Sequence, residues 1–171
     1  VAEESTDPNL PPKELSVQEL LGTLAPQMPA AMLRVLNGPY LVGVHSYDEN
    51  QPFLLMQVDS YETAYAGMLE WERTLQADLS PLFVRTPSPR LPAETASTTA
   101  SSTPPQFIPT NFVDKVVENR DVRLIASPAG DILLLWTFLG RNTLLITTNE
   151  YTLREVLSRL KAAPVVPTPG Q

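Results

Sequence analysis

Residues 132–148, with the sequence ILLLWTFLGRNTLLITT, contain two strongly apolar runs separated by the turn residues Gly140-Arg141-Asn142. Glycine and asparagine favour a tight turn, so the two runs are predicted to pair as antiparallel strands. The first run, Ile132 to Leu139, is apolar at nearly every position, which is typical of a strand that is covered on both faces. We therefore predict that this strand lies in the interior of a sheet.

Other segments outside this pair of strands are rich in β-branched and aromatic residues, which favours further strands. The predicted strands are Tyr40 to Tyr47, Pro52 to Val58, Val122 to Ala126, Ile132 to Leu139 and Thr143 to Thr148. The first two strands are joined by a short turn, and so are the last three, so neighbouring strands are expected to be antiparallel. The fold class predicted is α+β, a mainly antiparallel sheet of about five strands with helices packed on it.

Helices are predicted from capping residues and from apolar stripes. Ser16 with Glu19 forms a capping box, and Asp59 with Glu62 is a second candidate. Gly67 is an isolated glycine inside a helical pattern, which indicates close approach of a neighbouring element. The predicted helices open at Ser16, span Pro29 to Leu36, run from Asp59 to about Leu79 before Pro81, and follow Asn149.

The two halves of the chain resemble each other weakly. Residues 54–70 and 143–160 both run from an apolar strand through a polar cap with a tyrosine into an amphipathic helix. This pattern fits a pseudo-duplicated strand-strand-helix unit, and it also fits the common way in which a strand leads into a helix. Both interpretations remain open from the sequence.

The domain organisation follows from where apolar residues are scarce. Residues 1–14 are acidic and proline-containing and are predicted to be an N-terminal tether, and residues 164–171 a C-terminal tail. Residues 86–106 are rich in Pro, Ser and Thr, and they are predicted to be an exposed linker because they have little apolar surface to bury. A single domain is expected over residues 15–163, since each half alone would be very small.

Charge and composition exclude several classes of protein. The net charge is −7, and residues 1–85 carry 4 basic and 12 acidic residues, so phosphate-rich nucleic acid is not an expected partner. The chain has no cysteine, which removes disulfides, thiol nucleophiles and zinc-thiolate sites. Its longest apolar run is far below the roughly 20 residues of a membrane helix, so we expect no membrane insertion by this chain.

The residues that catalytic and metal sites require are scarce. His45 is the only histidine, and on a strand Ser46 points to the opposite face, so the two cannot form a local triad with Asp48. The acidic turn at residues 48–50 lacks the spacing of a calcium loop, and no phosphate-binding glycine motif is present. We expect no metal, no cofactor and no catalytic residue.

Glu72 is the most informative polar residue. It falls on the apolar stripe of the third predicted helix, where a buried unpaired carboxylate would be costly. Arg123 or Arg141 from the second half is the expected partner, in an ion pair that ties the two halves together. The alternatives are a solvated residue at the domain edge and a functional acid.

Two segments, residues 41–83 and 112–160, together resemble a domain of uncharacterised, predicted membrane-anchored proteins from bacteria of the candidate phyla radiation. The most specific strings are Gly67 to Glu72 and Leu144 to Asn149. The resemblance implies a location outside the cytoplasmic membrane, in a cell-surface or periplasm-like space, and it brings no activity or ligand. The resemblance also implies an anchoring segment outside this chain. The chain does not begin with Met, so removal of an N-terminal segment by processing or by design is expected.

Two functions are compatible with these observations. The first is a non-catalytic, extracytoplasmic interaction or surface-assembly module that binds a protein partner or a copy of itself. The alternative is a carboxylate-dependent hydrolase acting on a cell-envelope or glycan substrate, which would need two acids about 5 to 10 Å apart in a pocket.

Overall fold

The computed structural model describes residues 15–47, 49–83, 111–127 and 130–162. These residues form one antiparallel sheet with helices packed on it. Its strands are β1 (Leu36–Tyr47), β2 (Glu49–Val58), β3 (Val113–Val117), β4 (Arg120–Ala126), β5 (Ile132–Phe138) and β6 (Thr143–Thr147). The strand order is β1-β2-β6-β5-β4-β3. Strands from both halves of the chain therefore share one sheet, and the α+β class is confirmed.

Strand β5 lies inside the sheet, between β6 and β4. Four consecutive residues, Leu134 to Thr137, are buried. Since alternate side chains of a strand point to opposite faces, Leu134 and Trp136 enter one hydrophobic core while Leu135 enters another. The prediction of an interior strand covered on both faces is confirmed.

Strand β3 was not predicted, and it raises the strand count to six. It is only five residues long, and the charged residues Asp114 and Lys115 interrupt its three valines. Four of the five residues are exposed. It pairs with β4 through the two-residue turn Glu118-Asn119, where both residues have positive φ, 52° and 58°. Positive φ at both central positions is the geometry of a tight hairpin turn, which asparagine tolerates better than most residues.

Helices cover both faces of the sheet. They are α1 (Val17–Leu24), α2 (Ala30–Val35), α3 (Tyr61–Trp71), α4 (Leu75–Asp78), α5 (Ser80–Phe83) and α6 (Glu150–Ala162). Buried residues of α1 to α4 form the first core against the sheet face that carries Leu54 and Trp136. Leu153, Val156 and Leu157 of α6 form the second core on the opposite face. The result is a three-layer arrangement with the sheet in the middle.

The helix starts agree only in part with the predicted caps. The capping box of Ser16 and Glu19 is present. Helix α3 instead begins after Ser60, whose hydroxyl accepts a hydrogen bond from the backbone N–H of Thr63. Asp59 accepts a hydrogen bond from the Asn37 side chain at 3.1 Å, so the predicted Asp59 cap is wrong by one residue.

The helix predicted to run to about Leu79 is broken into two, α3 and α4, and a further short helix, α5, follows it. Helix α3 ends at Trp71, and Asp78 on α4 accepts hydrogen bonds from the Trp71 indole at 2.8 Å and from the Thr74 hydroxyl at 3.2 Å. These bonds favour the turn between α3 and α4 over a straight helix. Pro81 lies in the first turn of α5, where the missing N–H of proline costs nothing.

The two similar halves occupy different surroundings. Each contains a hairpin followed by a helix, β1-β2-α3 and β5-β6-α6. However, α3 packs on one face of the sheet and α6 on the other. The antiparallel neighbours β2 and β6 are exchanged by a two-fold axis perpendicular to the sheet. Such a rotation leaves each face of the sheet on its own side. It therefore superposes the two hairpins but not α3 and α6, which lie on opposite faces.

The predicted tether, linker and tail, residues 1–14, 86–106 and 164–171, lie outside the described residues. Asp48 of the acidic turn lies outside them as well.

Candidate functional site

An ion pair between Glu72 and Arg123 joins the end of α3 to β4. The Arg123 Nε donates to Glu72 Oε1 at 2.8 Å, and a terminal nitrogen of Arg123 donates to Oε2 at 2.5 Å. Two parallel N–H···O bonds of this kind form the strongest arrangement that arginine and a carboxylate make. The side chains are only 12% and 19% exposed, so water screens the pair weakly.

Two further groups complete this cluster. The indole Nε1 of Trp136 donates to Glu72 Oε1 at 3.0 Å, and the remaining terminal nitrogen of Arg123 donates to Asp114 at 3.1 Å. The hydrogen bonds to Glu72 and then to Asp114 raise the pKa of Arg123, although burial acts in the opposite direction. Three donors thus occupy the Glu72 carboxylate, which fits a structural role.

Arg141, the other predicted partner, is not bonded to Glu72. It is exposed in the turn between β5 and β6, and it makes no ion pair with any described residue. The structure therefore brings Glu72 together with Arg123 and places Arg141 on the wall of an adjacent cleft. The sequence could not separate the two arginines, because it does not determine which of them lies beside the end of the helix.

That cleft, which we call the arginine cleft, has a volume of about 450 Å³ and lies between α3 and strands β4 and β5. It combines aromatic rings, three arginines, three acids and an amide. Its lining residues include Tyr61, Glu62, Tyr65, Asp114, Asn119, Arg120, Asp121, Arg123, Trp136, Phe138 and Arg141.

The aromatic rings of the arginine cleft hold one another in place. Tyr61 meets Phe138 edge-on with ring centroids 4.9 Å apart, and it stacks on Tyr65 at 5.8 Å. Tyr65 in turn meets Trp136 edge-on at 5.7 Å. Edge-on and offset contacts are the favoured geometries of aromatic pairs, so the rings form a rigid surface.

A second concavity, which we call the β1 groove, has a volume of about 540 Å³ and lies between the β1-β2 hairpin and α6. Its walls are mainly apolar, with a few polar groups at the α6 side. The apolar lining residues are Leu41, Val44, Phe53, Leu55, Val156 and Leu160. Gly43 is essential to its shape, because a Cβ there would lie 2.5 Å from the Phe53 ring.

His45 contributes to the polar side of the β1 groove. Its Nδ1 lies 3.1 Å from the Thr152 hydroxyl of α6. Beside it, Arg159 donates to Glu155 at 2.6 Å, and this contact lowers the pKa of Glu155. The single histidine thus links β1 to α6 at one end of the groove.

The edge strand β1 is the surface that the sequence did not reveal. Leu41, Val42 and Val44 are all exposed, and among the described residues β1 pairs only with β2. Alternating apolar residues predicted the strand correctly. They could not show that it lies at the edge, because that depends on the order of strands in the sheet.

Comparisons with known proteins identify no relative. No protein-family model matches the chain, and no curated protein and no solved structure is significantly similar to it. Within the described ranges, no three acidic, histidine or cysteine side chains form a group that could hold a metal ion. The helices that the structure describes are all too short or too polar to cross a membrane.

Proposed function

We propose that this protein is a non-catalytic, extracytoplasmic binding module that takes up an extended segment of a partner protein along β1. The observation that carries the proposal is the exposed apolar edge of β1 beside the β1 groove. Extended peptides bind to such edges by adding a strand, because the edge offers unpaired backbone N–H and C=O groups.

A comparison of the two sheet edges supports this function. Natural proteins protect edge strands by keeping them short or by placing charges and prolines on them. The edge strand β3 has five residues and carries Asp114 and Lys115. The edge strand β1 has twelve residues. Its first part contains Pro39 and a register shift, but residues 41–46 include no proline, lysine or acid. The unprotected edge is therefore the one suited to a partner.

The β1 groove supplies a means of selecting that partner. Side chains at alternate positions of an added strand point to one face of the sheet, and on the α6 face they would meet the groove. The Phe53 ring lies against Gly43, so the floor is apolar and shallow next to the edge. Backbone pairing would supply affinity, and apolar side chains in the groove would supply specificity.

The hydrolase alternative has less support. The Glu72 carboxylate is occupied by Arg123 and Trp136, and Asp114 is bonded to Arg123. Glu62 and Asp121, which also line the arginine cleft, are exposed to solvent. A general acid of a glycosidase is a carboxyl group withdrawn from water, so these acids fit binding better than catalysis.

The proposal is tested by selecting partners from random displayed peptides of about twelve residues, the length of β1. Selected peptides should alternate apolar and polar residues. The change Val44→Lys should weaken their binding by about tenfold or more, because a lysine on an edge strand opposes strand addition. The control is Val116→Lys on β3, since the two valines are similarly exposed, 60% and 67%. Val116→Lys should leave binding unchanged.

Three results would contradict the proposal. The first is a selection that yields no binder, and the second is equal binding by both lysine variants. The third is a dimer in sedimentation experiments that Val44→Lys dissociates, since it would show that β1 pairs with a second copy of the chain.

The extracytoplasmic location and the membrane tether are tested separately. Alkaline phosphatase, which needs disulfides that form outside the cytoplasm, is fused to the C-terminus of the full-length protein. Activity in the membrane fraction is the expected result. An inactive fusion whose reporter stays reduced would contradict the location.

A further inference from the structure

The arginine cleft lies on the sheet face opposite the β1 groove and has no role in strand addition. Its exposed aromatic surface is Tyr61, which is 37% exposed. Phe138 and Tyr65 hold the ring from two directions. A ring that is already fixed loses little conformational freedom when a ligand stacks on it.

The charges around Tyr61 nearly balance. The lining includes three guanidinium groups, Arg120, Arg123 and Arg141, and three carboxylates, Glu62, Asp114 and Asp121, and Glu72 beneath the lining is paired with Arg123. Any charged ligand would therefore meet groups of its own sign as well as groups of the opposite sign. Neither sign of charge gains a strong net attraction, so the cleft favours a neutral ligand.

Polar groups outnumber apolar ones in this cleft. Seven of the twelve lining residues are charged or carry an amide. Arg123 is held by Glu72 and Asp114, and Arg120 donates to the Phe138 carbonyl at 3.3 Å. Arg141, Asn119 and Asp121 remain as exposed donors and acceptors in the cleft that Tyr61 also lines.

We propose that the arginine cleft binds a neutral saccharide, with a sugar ring stacked on Tyr61 and its hydroxyls bonded to Asn119, Asp121 and Arg141. Each hydroxyl both donates and accepts hydrogen bonds, so one ligand satisfies the guanidinium, amide and carboxylate groups together. The C–H face of a sugar ring carries a slight positive charge, which the negative face of an aromatic ring attracts.

The test is a titration of the ¹⁵N-labelled protein with four neutral tetrasaccharides: cellotetraose, chitotetraose, xylotetraose and mannotetraose. The indole N–H of Trp136, which donates to Glu72 beneath the cleft, reports binding. The indole N–H of Trp71, bonded to Asp78, is the internal control. At least one tetrasaccharide should shift the Trp136 signal and leave that of Trp71 unchanged, with a Kd of about 1 mM or lower.

Matched variants locate the site. Tyr61→Ala should weaken binding by about tenfold or more, since it removes the stacking surface. Tyr151→Ala is the control, because Tyr151 is an exposed tyrosine on α6, at the opposite face of the sheet. Asp121→Asn and Arg141→Gln are exposed changes that leave the aromatic rings intact, and each should weaken binding by about fivefold.

Any of three outcomes would overturn the proposal. None of the four tetrasaccharides shifts the Trp136 signal at 20 mM, about twenty times the expected Kd. Tyr61→Ala binds as tightly as the unchanged protein while remaining folded. Anionic tetragalacturonate or cationic tetraglucosamine binds about tenfold more tightly than every neutral sugar, which would show that the cleft selects a charge.

Discussion

Arg123 on β4 holds the carboxylate of Glu72 at the end of α3, 51 residues earlier in the chain, by two parallel hydrogen bonds. Glu72 lies in the first half of the chain and Arg123 in the second, so this contact joins the two halves. Trp136 donates to the same carboxylate, so three residues from three elements share one polar cluster at the edge of the first core.

Glu72→Ala should lower the free energy of unfolding by about 2 to 3 kcal/mol, because it leaves Arg123 and the Trp136 indole with an unmatched, mostly buried donor. Urea unfolding measures this loss. The control is Glu155→Ala, which breaks the exposed ion pair with Arg159 and should change the free energy of unfolding far less, because water screens an exposed pair. Equal losses in the two variants would show that Glu72 is effectively solvated.

Gly67→Ala should also destabilise the protein. A Cβ at this position would lie 2.8 Å from the Cβ of Met32, so α2 and α3 would be forced apart at a cost of about 1 to 3 kcal/mol. Gly22→Ala is the matched control in α1. Nothing lies within 4 Å of a Cβ there, so the better helix propensity of alanine should stabilise the protein by about 0.5 to 1 kcal/mol.

Thermal denaturation of both glycine variants measures these opposite shifts. If Gly67→Ala melts at or above the temperature of the unchanged protein, α2 and α3 do not pack as closely as the structure shows.

Removal of metal ions should leave the protein unchanged. His45 Nδ1 lies 3.1 Å from the Thr152 hydroxyl, and the described residues offer no cluster of metal ligands. Thermal unfolding with and without EDTA should give melting temperatures within about 1 °C of each other. A drop of several degrees would show that the acidic turn at residues 48–50 holds a cation.

The strands and the Glu72 pair were predictable because each depends on a local pattern with a clear physical cause. The apolar run from Ile132 to Leu139 has no polar face to expose, which favours a central strand covered on both faces. Glu72 interrupts an apolar helical stripe, and a carboxylate at such a position needs a cationic partner. Gly67 likewise marks the close contact with Met32.

The features that were missed depend on interactions between distant residues. Strand β3 forms because β4 offers it an edge, although four of its own five residues are exposed. The break after Trp71 depends on the hydrogen bond to Asp78, which a helical pattern does not reveal. Both concave surfaces follow from the strand order and from which face each helix covers, and no single segment of sequence encodes either of these.

Cleaving the chain between residues 95 and 98, at a protease site introduced into the predicted linker, should not separate its halves. The seam between them is the pairing of β2 with β6, in which Leu54 faces Ile146 and Met56 faces Leu144, and all four side chains are fully buried in the first core. The first fragment would keep only the β1-β2 hairpin, and two strands are marginally stable in water without further pairing. The second would lose α1 to α4 and expose the face of β5 and β6 that they cover. Each fragment is also of a size at which a core supplies only about 3 to 5 kcal/mol.

The cleaved protein should therefore elute as one species from a native sizing column and separate only in denaturant. Two fragments that elute apart and each keep a cooperative thermal transition would show that the halves fold independently.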